Sequence, residues 1–263
     1  MGRSWQNDLV DKSTIAGILV GIGGIVVGNA LEGGHFSALF QFTAFLIVMS
    51  GTLGAVLVSS SPQNVKKGLK MLPEAFREED DSKIRKLIRE IVDCTLISKK
   101  DGVLALEERI KRIEDPFFRK VVRSVIDGID PKIIRETYEI EIDAEEEELL
   151  SAVKIWSDAG GFAPTIGILG AVLGLIHVMS NLTDTSKLGA GIAVAFVATV
   201  YGVGFANLVF LPIANKLKRR VLRHSRNKRI ILDGAILINS GLSSVIVGQK
   251  LEAQFEGEMS GNR

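Results

Sequence analysis

Long stretches without charge divide this chain. Residues 160–182 carry His177 as their only titratable group, and residues 188–214 carry no charged or histidine residue. Both stretches exceed the roughly 20 apolar residues with which a helix crosses a bilayer. Two earlier stretches, 14–31 and 36–59, are also apolar, and the first is only just long enough to cross. The pattern predicts four transmembrane helices.

The segment between the second and third stretches is polar and has helical periodicity. A capping side chain precedes proline, an arrangement typical of helix starts, at Ser61-Pro62, Asp115-Pro116 and Asp130-Pro131. We predict an all-α fold: a polytopic membrane protein with four transmembrane helices and a large helical cytoplasmic domain. The expected parts are 1–59 with the first two helices, 60–159 as the cytoplasmic domain, 160–215 with the last two helices, and 216–263 as a cytoplasmic tail.

The distribution of positive charge predicts the orientation. Of 32 Lys and Arg residues, nineteen lie within residues 60–157 and ten follow residue 215, whereas Lys187 is the only one in either short connection. Positively charged flanks stay in the cytoplasm, so the middle segment and both termini are expected there. The single Cys94 in the middle segment suits a reducing compartment. The net charge of +1 gives no reason to expect nucleic acid as a partner.

The first apolar stretch has a second interpretation, as a cleaved signal peptide, because it is short and follows a lysine. We disfavour that interpretation. Removing the stretch would leave three helices and would put the middle segment and the tail on opposite sides of the membrane.

Small residues form one face of three predicted spans, and such faces let helices approach closely in lipid. They comprise Gly17, Gly21, Gly24 and Gly28 in the first span, Gly167, Gly170 and Gly174 in the third, and Ala195, Thr199, Gly202 and Ala206 in the fourth. We expect the first face to pack within the subunit, and the third and fourth to accommodate a further helix.

An ionisable residue inside a span normally marks an ion pathway, but no carboxylate or cation lies inside these spans. His177 is near the outer end of its span, where an interfacial or packing role is favoured. Thr199 lies mid-span, at the depth of Ala171, and offers a hydroxyl; the alternative is a bond back to its own helix. Ion conduction would therefore need a titrating group from a partner. An enzyme is disfavoured, because no nucleophile and base or metal cluster is found at workable spacing.

Several motifs, in order, resemble the MotA/PomA family of flagellar stator A subunits. They are KKDGVLALEE at 99–108, DPFFRK at 115–120, DGIDP at 127–131, APTIGILGAVLGL at 163–175, ATVYG at 198–202, AN at 206–207 and LPIA at 211–214. The resemblance covers nearly the whole chain, although the tail after His224 matches less well and its role stays open.

The resemblance implies an assembly in the bacterial inner membrane. Five A subunits would surround two copies of a peptidoglycan-anchored B subunit of the MotB/PomB type, whose membrane aspartate binds the ion. Ion flow would turn the ring and drive the rotor switch protein FliG. The third and fourth spans would line the ring and the first two would face lipid. Pro164 and Pro212, at span ends, match functionally important prolines of the family.

The resemblance also implies a rotor surface formed by Lys99, Lys100, Glu107 and Glu108. If one helix covered residues 99–108, both signs of charge would lie along one stripe, although Gly102 is a potential break.

No cofactor or metal is expected, and the coupling ion is expected to be the proton. Sodium-driven members of the family tend to carry threonines where this chain has Ala171 and Ala198, and methyl groups cannot replace the water around a sodium ion. Sodium stays as the alternative, since water or backbone carbonyls could supply the ligands.

Two other functions are compatible with parts of the sequence. One is a three-span ExbB/TolQ-type subunit that energises the outer membrane, which the fourth span and the motif at 99–108 disfavour. The other is a membrane scaffold that conducts no ions.

Overall fold

The computed structural model describes residues 11–34, 39–78, 80–182 and 185–260, and every regular element among them is a helix. The helices are α1 (Lys12–Leu31), α2 (Phe42–Ser59), α3 (Pro62–Met71), α4 (Ser82–Asp101), α5 (Leu106–Ile110), α6 (Pro116–Ile126), α7 (Pro131–Met179), α8 (Thr185–Phe205), α9 (Leu211–Leu237) and α10 (Ser244–Ser260). Short 3-10 turns cover Leu72–Phe76 and Val103–Ala105, and a π-helical turn, Ala206–Phe210, joins α8 to α9.

Four helical stretches of the described residues are long and apolar enough to cross a membrane, which confirms the predicted number. They are α1, α2, the apolar part of α7, and α8 with its continuation. The second begins later than expected, at Phe42, because Gln41 before it is extended, with φ −118°. The predicted start at residue 36 and part of the connection at 183–187 lie outside the described residues.

The three predicted helix starts are confirmed. The Ser61 hydroxyl accepts a hydrogen bond from the amide of the third residue after it, at 3.2 Å. The Asp115 carboxylate accepts from the Phe118 amide at 2.8 Å, and Asp130 accepts from the Lys132 amide at 2.8 Å. In each case the proline occupies the first helical position, where its missing amide hydrogen costs no helical bond.

The chain forms two compact units. One contains residues up to Glu78 with Leu149–Arg219, and the other contains Glu79–Glu148 with Arg220–Arg263. The sequence-based boundaries at 159/160 and 215/216 fall inside α7 and α9, because these helices continue without interruption from apolar into polar sequence.

The first unit holds the apolar helices. Helix α2 packs on α8 through Ala44 and Val48 against Val197 and Ala198, all nearly or fully buried. A second cluster lies nearer the ends that carry the long polar extensions and comprises Val56, Ile155, Ala159, Ala163, Ala206 and Phe210. Helix α1 is the least covered of the four and contacts the π-helical turn.

A segment that we call the strap, residues 61–76, connects the ends of three of these helices. It follows α2, and the Trp156 indole of α7 donates a hydrogen bond to the Gly68 carbonyl at 3.1 Å. At its far end the Phe76 carbonyl accepts from the Asp11 amide at the start of α1, at 2.9 Å. Gly68 allows this contact because a Cβ there would lie 2.4 Å from the Ala152 carbonyl oxygen.

The second unit is a helical domain with its own core. Its largest fully buried side chains include Phe118, Ile91, Leu106 and Ile142. Cys94 is buried there too, and desolvation raises the pKa of its thiol to about 11. Arg229 of α9 contacts Asp143 and Glu146 of α7 at 2.6 and 3.3 Å, and Lys228 pairs with Glu145.

The tail, whose role the sequence leaves open, belongs to this core. Val247, Leu251 and Phe255 of α10 are buried, and α10 packs on α4. The Arg85 guanidinium lies 5.0 Å from the centre of the Phe255 ring, within the range of a cation–π contact. Residues 244–260 are therefore a structural part of the second unit.

Candidate functional site

The small faces of the third and fourth spans pack against each other. A Cβ on Gly167 would lie 2.9 Å from the Ala198 carbonyl oxygen, and one on Gly174 would lie 2.8 Å from the Ala195 amide nitrogen. A Cβ on Gly202 would lie 2.5 Å from the Ala163 carbonyl oxygen. At these positions the expectation that the faces accommodate a further helix is wrong, because each already holds the backbone of the other. Thr199 of the fourth face is the exception, since it is half-buried.

The first span shows the reverse. A Cβ on Gly17, Gly24 or Gly28 would have no described atom within 4 Å, and only Gly21 of this face is approached, by the Leu208 side chain at 3.1 Å. The expectation that this face packs within the subunit is therefore wrong for most of its length. A small-residue spacing shows that close approach is sterically allowed, but it carries no information about which partner uses it.

The three residues of the predicted ion pathway lie at one depth but point in different directions. Ala198 is fully buried, and its methyl lies against Gly170, which puts the neighbouring Ala171 and Thr199 at the same level. Ala171 and Thr199 are half-buried. The Thr199 hydroxyl donates to the Ala195 carbonyl at 3.3 Å, the bond back to its own helix that the sequence leaves open. Ala198 is thus enclosed by its contact with α7, whereas Thr199 and Ala171 reach the subunit surface.

Thr199 lies within an exposed apolar surface of α8. Phe196, Val200 and Val203, which are one turn or less away, are 71%, 49% and 47% exposed. A comparable surface on the third span includes Val172 at 48%. Among the described residues, the Thr199 hydroxyl is the polar group at the centre of this α8 surface. The surface is open to other chains, whereas the glycine and alanine positions of α8 pack on α7.

The two prolines lie inside continuous helices, not at helix ends. Pro164 is in the interior of α7, where it provides no amide hydrogen for the Gly160 carbonyl. Pro212 follows the π-helical turn, in which the Asn207 side-chain amide donates to the Val203 carbonyl at 2.9 Å. Both prolines lie near the ends of the apolar stretches 160–182 and 188–214, as expected. The helices themselves do not end there, because they continue beyond the apolar stretches into polar sequence.

The predicted rotor residues do not share one helix. Helix α4 ends after Lys99 and Lys100, because Gly102 adopts φ +84°, and Glu107 and Glu108 occupy the first turn of α5. The four residues therefore lie at the end of α4 and the start of α5 and not along one stripe, and all four side chains are exposed.

Charge pairing at these four residues is sparse. Glu108 contacts Lys111 at 2.6 Å, and that hydrogen bond lowers the pKa of Glu108. The other three form no ion pair with any residue that the structure describes. Their charges are thus available to a partner.

An ion pair that no sequence pattern predicts joins the start of the first span to the segment that follows the fourth span. The Lys216 ammonium contacts the Asp11 carboxylate and the Thr14 hydroxyl. Asp11 also accepts from the Ser13 amide at 2.9 Å, so it caps α1. The contact with Lys216, and then those with Ser13, hold the pKa of Asp11 well below its usual range. The residues are too far apart in sequence for any local pattern to pair them.

Comparison with known proteins adds to this geometry. The chain matches the motility protein A N-terminal family over residues 15–92 and the MotA/TolQ/ExbB proton channel family over residues 109–229. Motility protein A of Bacillus subtilis (strain 168) is 32% identical, with 92% of this chain and 90% of that protein covered. The chemotaxis protein PomA of Vibrio alginolyticus is 30% identical, with 92% of this chain and 94% of that protein covered.

Two solved structures are similar to this chain over most of its length. The C. jejuni MotAB structure superposes with a TM-score of 0.85 at 30% identity, covering 93% of this chain and 95% of the other. The flagellar MotAB stator complex of Bacillus subtilis gives 0.83 at 32% identity, covering 92% and 94%.

Fold and matches together define a helical membrane protein of the proton channel class. Within that class, the chain belongs to the motility protein A family. This confirms the resemblance indicated by the sequence motifs. The N-terminal match starts at residue 15 and so includes the first apolar stretch, which argues against a cleaved signal peptide.

The close contact of α7 with α8 predicts a position-specific effect of adding one methyl group. Gly202→Ala should destabilise the protein by about 1–3 kcal/mol, because the new methyl meets the Ala163 carbonyl and the backbones must separate. The matched control is Gly204→Ala on the same helix, where no described atom lies within 4 Å. There the substitution should be neutral or slightly stabilising, since alanine is the better helix former. Thermal unfolding in detergent decides, and equal melting temperatures for the two variants would contradict the packing.

Proposed function

We propose that this protein is the A subunit of an ion-driven flagellar stator, which couples ion flow across the bacterial inner membrane to torque on the rotor. The observation that carries this proposal is the superposition over more than nine-tenths of the chain on two MotAB structures, one of them a flagellar stator complex. The match to the motility protein A N-terminal family, together with four spans, favours a stator over a three-span ExbB/TolQ-type subunit.

The chemistry of the spans supports a two-component channel. No carboxylate or cation is present in the four apolar stretches at 14–31, 36–59, 160–182 and 188–214. A proton or cation crossing the membrane needs a group that binds it transiently, and that group must then come from another chain. A B subunit of the MotB/PomB type with a membrane carboxylate meets this requirement.

We place the ring and the pathway on the exposed surface of α8. Five copies around two B subunits would bring Thr199 and Ala171 to the inside, with the exposed apolar residues Phe196, Val200 and Val203 in contact with neighbouring chains. The back-bonded hydroxyl of Thr199 still has acceptor capacity for a protonated carboxyl group or water. Both termini and the second unit would be cytoplasmic, as the distribution of Lys and Arg favours.

We assign the rotor contact to Lys99, Lys100, Glu107 and Glu108. Three of them form no ion pair among the described residues, and both signs of charge occur on adjacent helical ends. Exposed charges of this kind affect encounter and register more than affinity. A rotor protein such as FliG with complementary charges is the partner this surface fits.

Co-purification tests the assembly. The full chain expressed with a MotB-type partner should yield a complex of five A to two B subunits by native mass spectrometry, because the spans lack a carboxylate or cation and need one from a partner. Expression without the partner is the control. A stable protein that never retains the partner would favour a scaffold and would contradict the stator proposal.

Substitution of Thr199 tests the pathway. Thr199→Leu should abolish rotation by filling the space, whereas Thr199→Ser should support it because the hydroxyl remains. Thr199→Val, which keeps the shape and removes the hydroxyl, separates volume from chemistry and should rotate slowly or not at all. Tethered-cell rotation at matched protein levels is the measurement, and normal speed in the leucine variant would place the pathway elsewhere.

The coupling ion is tested in the same cells without any substitution. With Ala171 and Ala198 in place of hydroxyl residues, we expect rotation to continue in sodium-depleted medium while the proton gradient is intact. Rotation that stops without sodium and returns in proportion to added sodium would overturn the proton assignment but not the stator assignment.

Charge reversal tests the rotor surface. Lys99→Glu should impair swimming, and a compensating reversal on the rotor should restore it, because opposite charges on the two surfaces fix their register. Lys83→Glu is the matched control: it reverses an exposed lysine in the first turn of the same helix. Normal motility after reversal at all four predicted positions would show that the surface lies elsewhere.

A further inference from the structure

The strap lies at the level where the chain enters the membrane. It begins directly after α2, it is hydrogen-bonded to Trp156 just before the uncharged stretch of α7, and it reaches the Asp11 amide at the start of α1. Each of these three contacts marks the point at which an apolar stretch starts or ends. The strap therefore runs along one surface of the bilayer, across the ends of three membrane helices.

The two faces of α3, the helical part of the strap, differ in character. Gly68 and Met71 are buried on the face that packs on the rest of the first unit. On the opposite face Lys66 and Lys70 are exposed, and they are four residues apart, so they lie on one side of the helix. Leu69 lies between them with 54% of its surface exposed. Neither lysine forms an ion pair with a described residue, and α3 contains no acidic residue.

We infer that this face of α3 binds anionic phospholipid, with Lys66 and Lys70 on headgroup phosphates and Leu69 in the boundary between headgroups and acyl chains. A basic amphipathic helix that lies in the interface binds by these two contributions together. The lipid is favoured over a protein partner by continuity: Leu57 and Val58, in the last turn of α2 just before the strap, are 60% and 91% exposed and face the same apolar phase.

The position of the strap gives the lipid contact a structural consequence. Gly68 and Phe76 hydrogen-bond the strap to α7 and to the start of α1, and the strap follows α2 directly in the chain. A headgroup held by Lys66 and Lys70 thus restrains the segment that links three of the four membrane helices. This inference does not depend on the stator proposal, because it concerns one subunit and its lipid.

The test compares lipid selectivity of the full chain in membranes. Purified protein is reconstituted in phosphatidylcholine, and the fractions of spin-labelled phosphatidylglycerol and phosphatidylcholine immobilised by the protein are measured. The wild type should favour phosphatidylglycerol, and Lys66→Gln with Lys70→Gln should lower the preference at this site by about five-fold per lysine. The preference should also fall in 1 M salt, where charges are screened beyond about 3 Å.

Matched variants separate site-specific binding from general charge. Lys83→Gln with Lys132→Gln removes two exposed lysines of the second unit and should leave the preference unchanged. Lys66→Arg with Lys70→Arg keeps the charge and should retain the preference for phosphatidylglycerol. A loss of preference in the glutamine variant is then electrostatic. A wild type without preference, or equal losses in the two glutamine variants, would overturn the inference.

Discussion

The contact between the backbones of α7 and α8 is the constraint on which the arrangement of this membrane unit depends. Gly167 and Gly202 are placed so that a methyl on either would meet the other's Cα at about the limit of contact, 3.1 and 3.0 Å. Lipid provides no hydrophobic drive for two apolar helices to associate, so van der Waals contact between closely packed helices must stabilise the pair. Glycine permits that packing, because it removes the side chains that would keep the backbones apart.

This contact also fixes the direction in which the neighbouring residues point. With Ala198 against Gly170, the methyl of Ala198 has no exposed surface, whereas the next residue, Thr199, is turned towards the outside of the subunit. One helix position, a rotation of about 100°, separates a structural residue from a candidate pathway residue. The packing of Ala198 against Gly170 thus sets the direction of the proposed pathway residue Thr199.

The sequence predicts the features that depend on local chemistry. The spans follow from uninterrupted apolar length, and the starts at Ser61, Asp115 and Asp130 follow from a capping oxygen beside proline. Features that depend on a choice between equivalent partners were not predictable. Glycines at helical spacing look alike in α1 and α7, yet one face is open and the other filled, and the pair of Asp11 with Lys216 needs the fold to bring its members together.

A glycine also faces each of the two interruptions of helical hydrogen bonding. Gly202 lies opposite Pro164, with a Cβ position 3.2 Å from the proline Cα, and Gly160 lies opposite Leu211, next to Pro212. Each proline removes a backbone bond from its own helix, and the π-helical turn before Pro212 rearranges several more. A helix that loses such bonds is easier to bend, but only if the facing helix leaves room. At both facing positions the space of the missing side chain is already occupied, by the Ala163 carbonyl at Gly202 and by the Leu211 side chain at Gly160. Bending at either interruption therefore requires both helices to adjust their packing together.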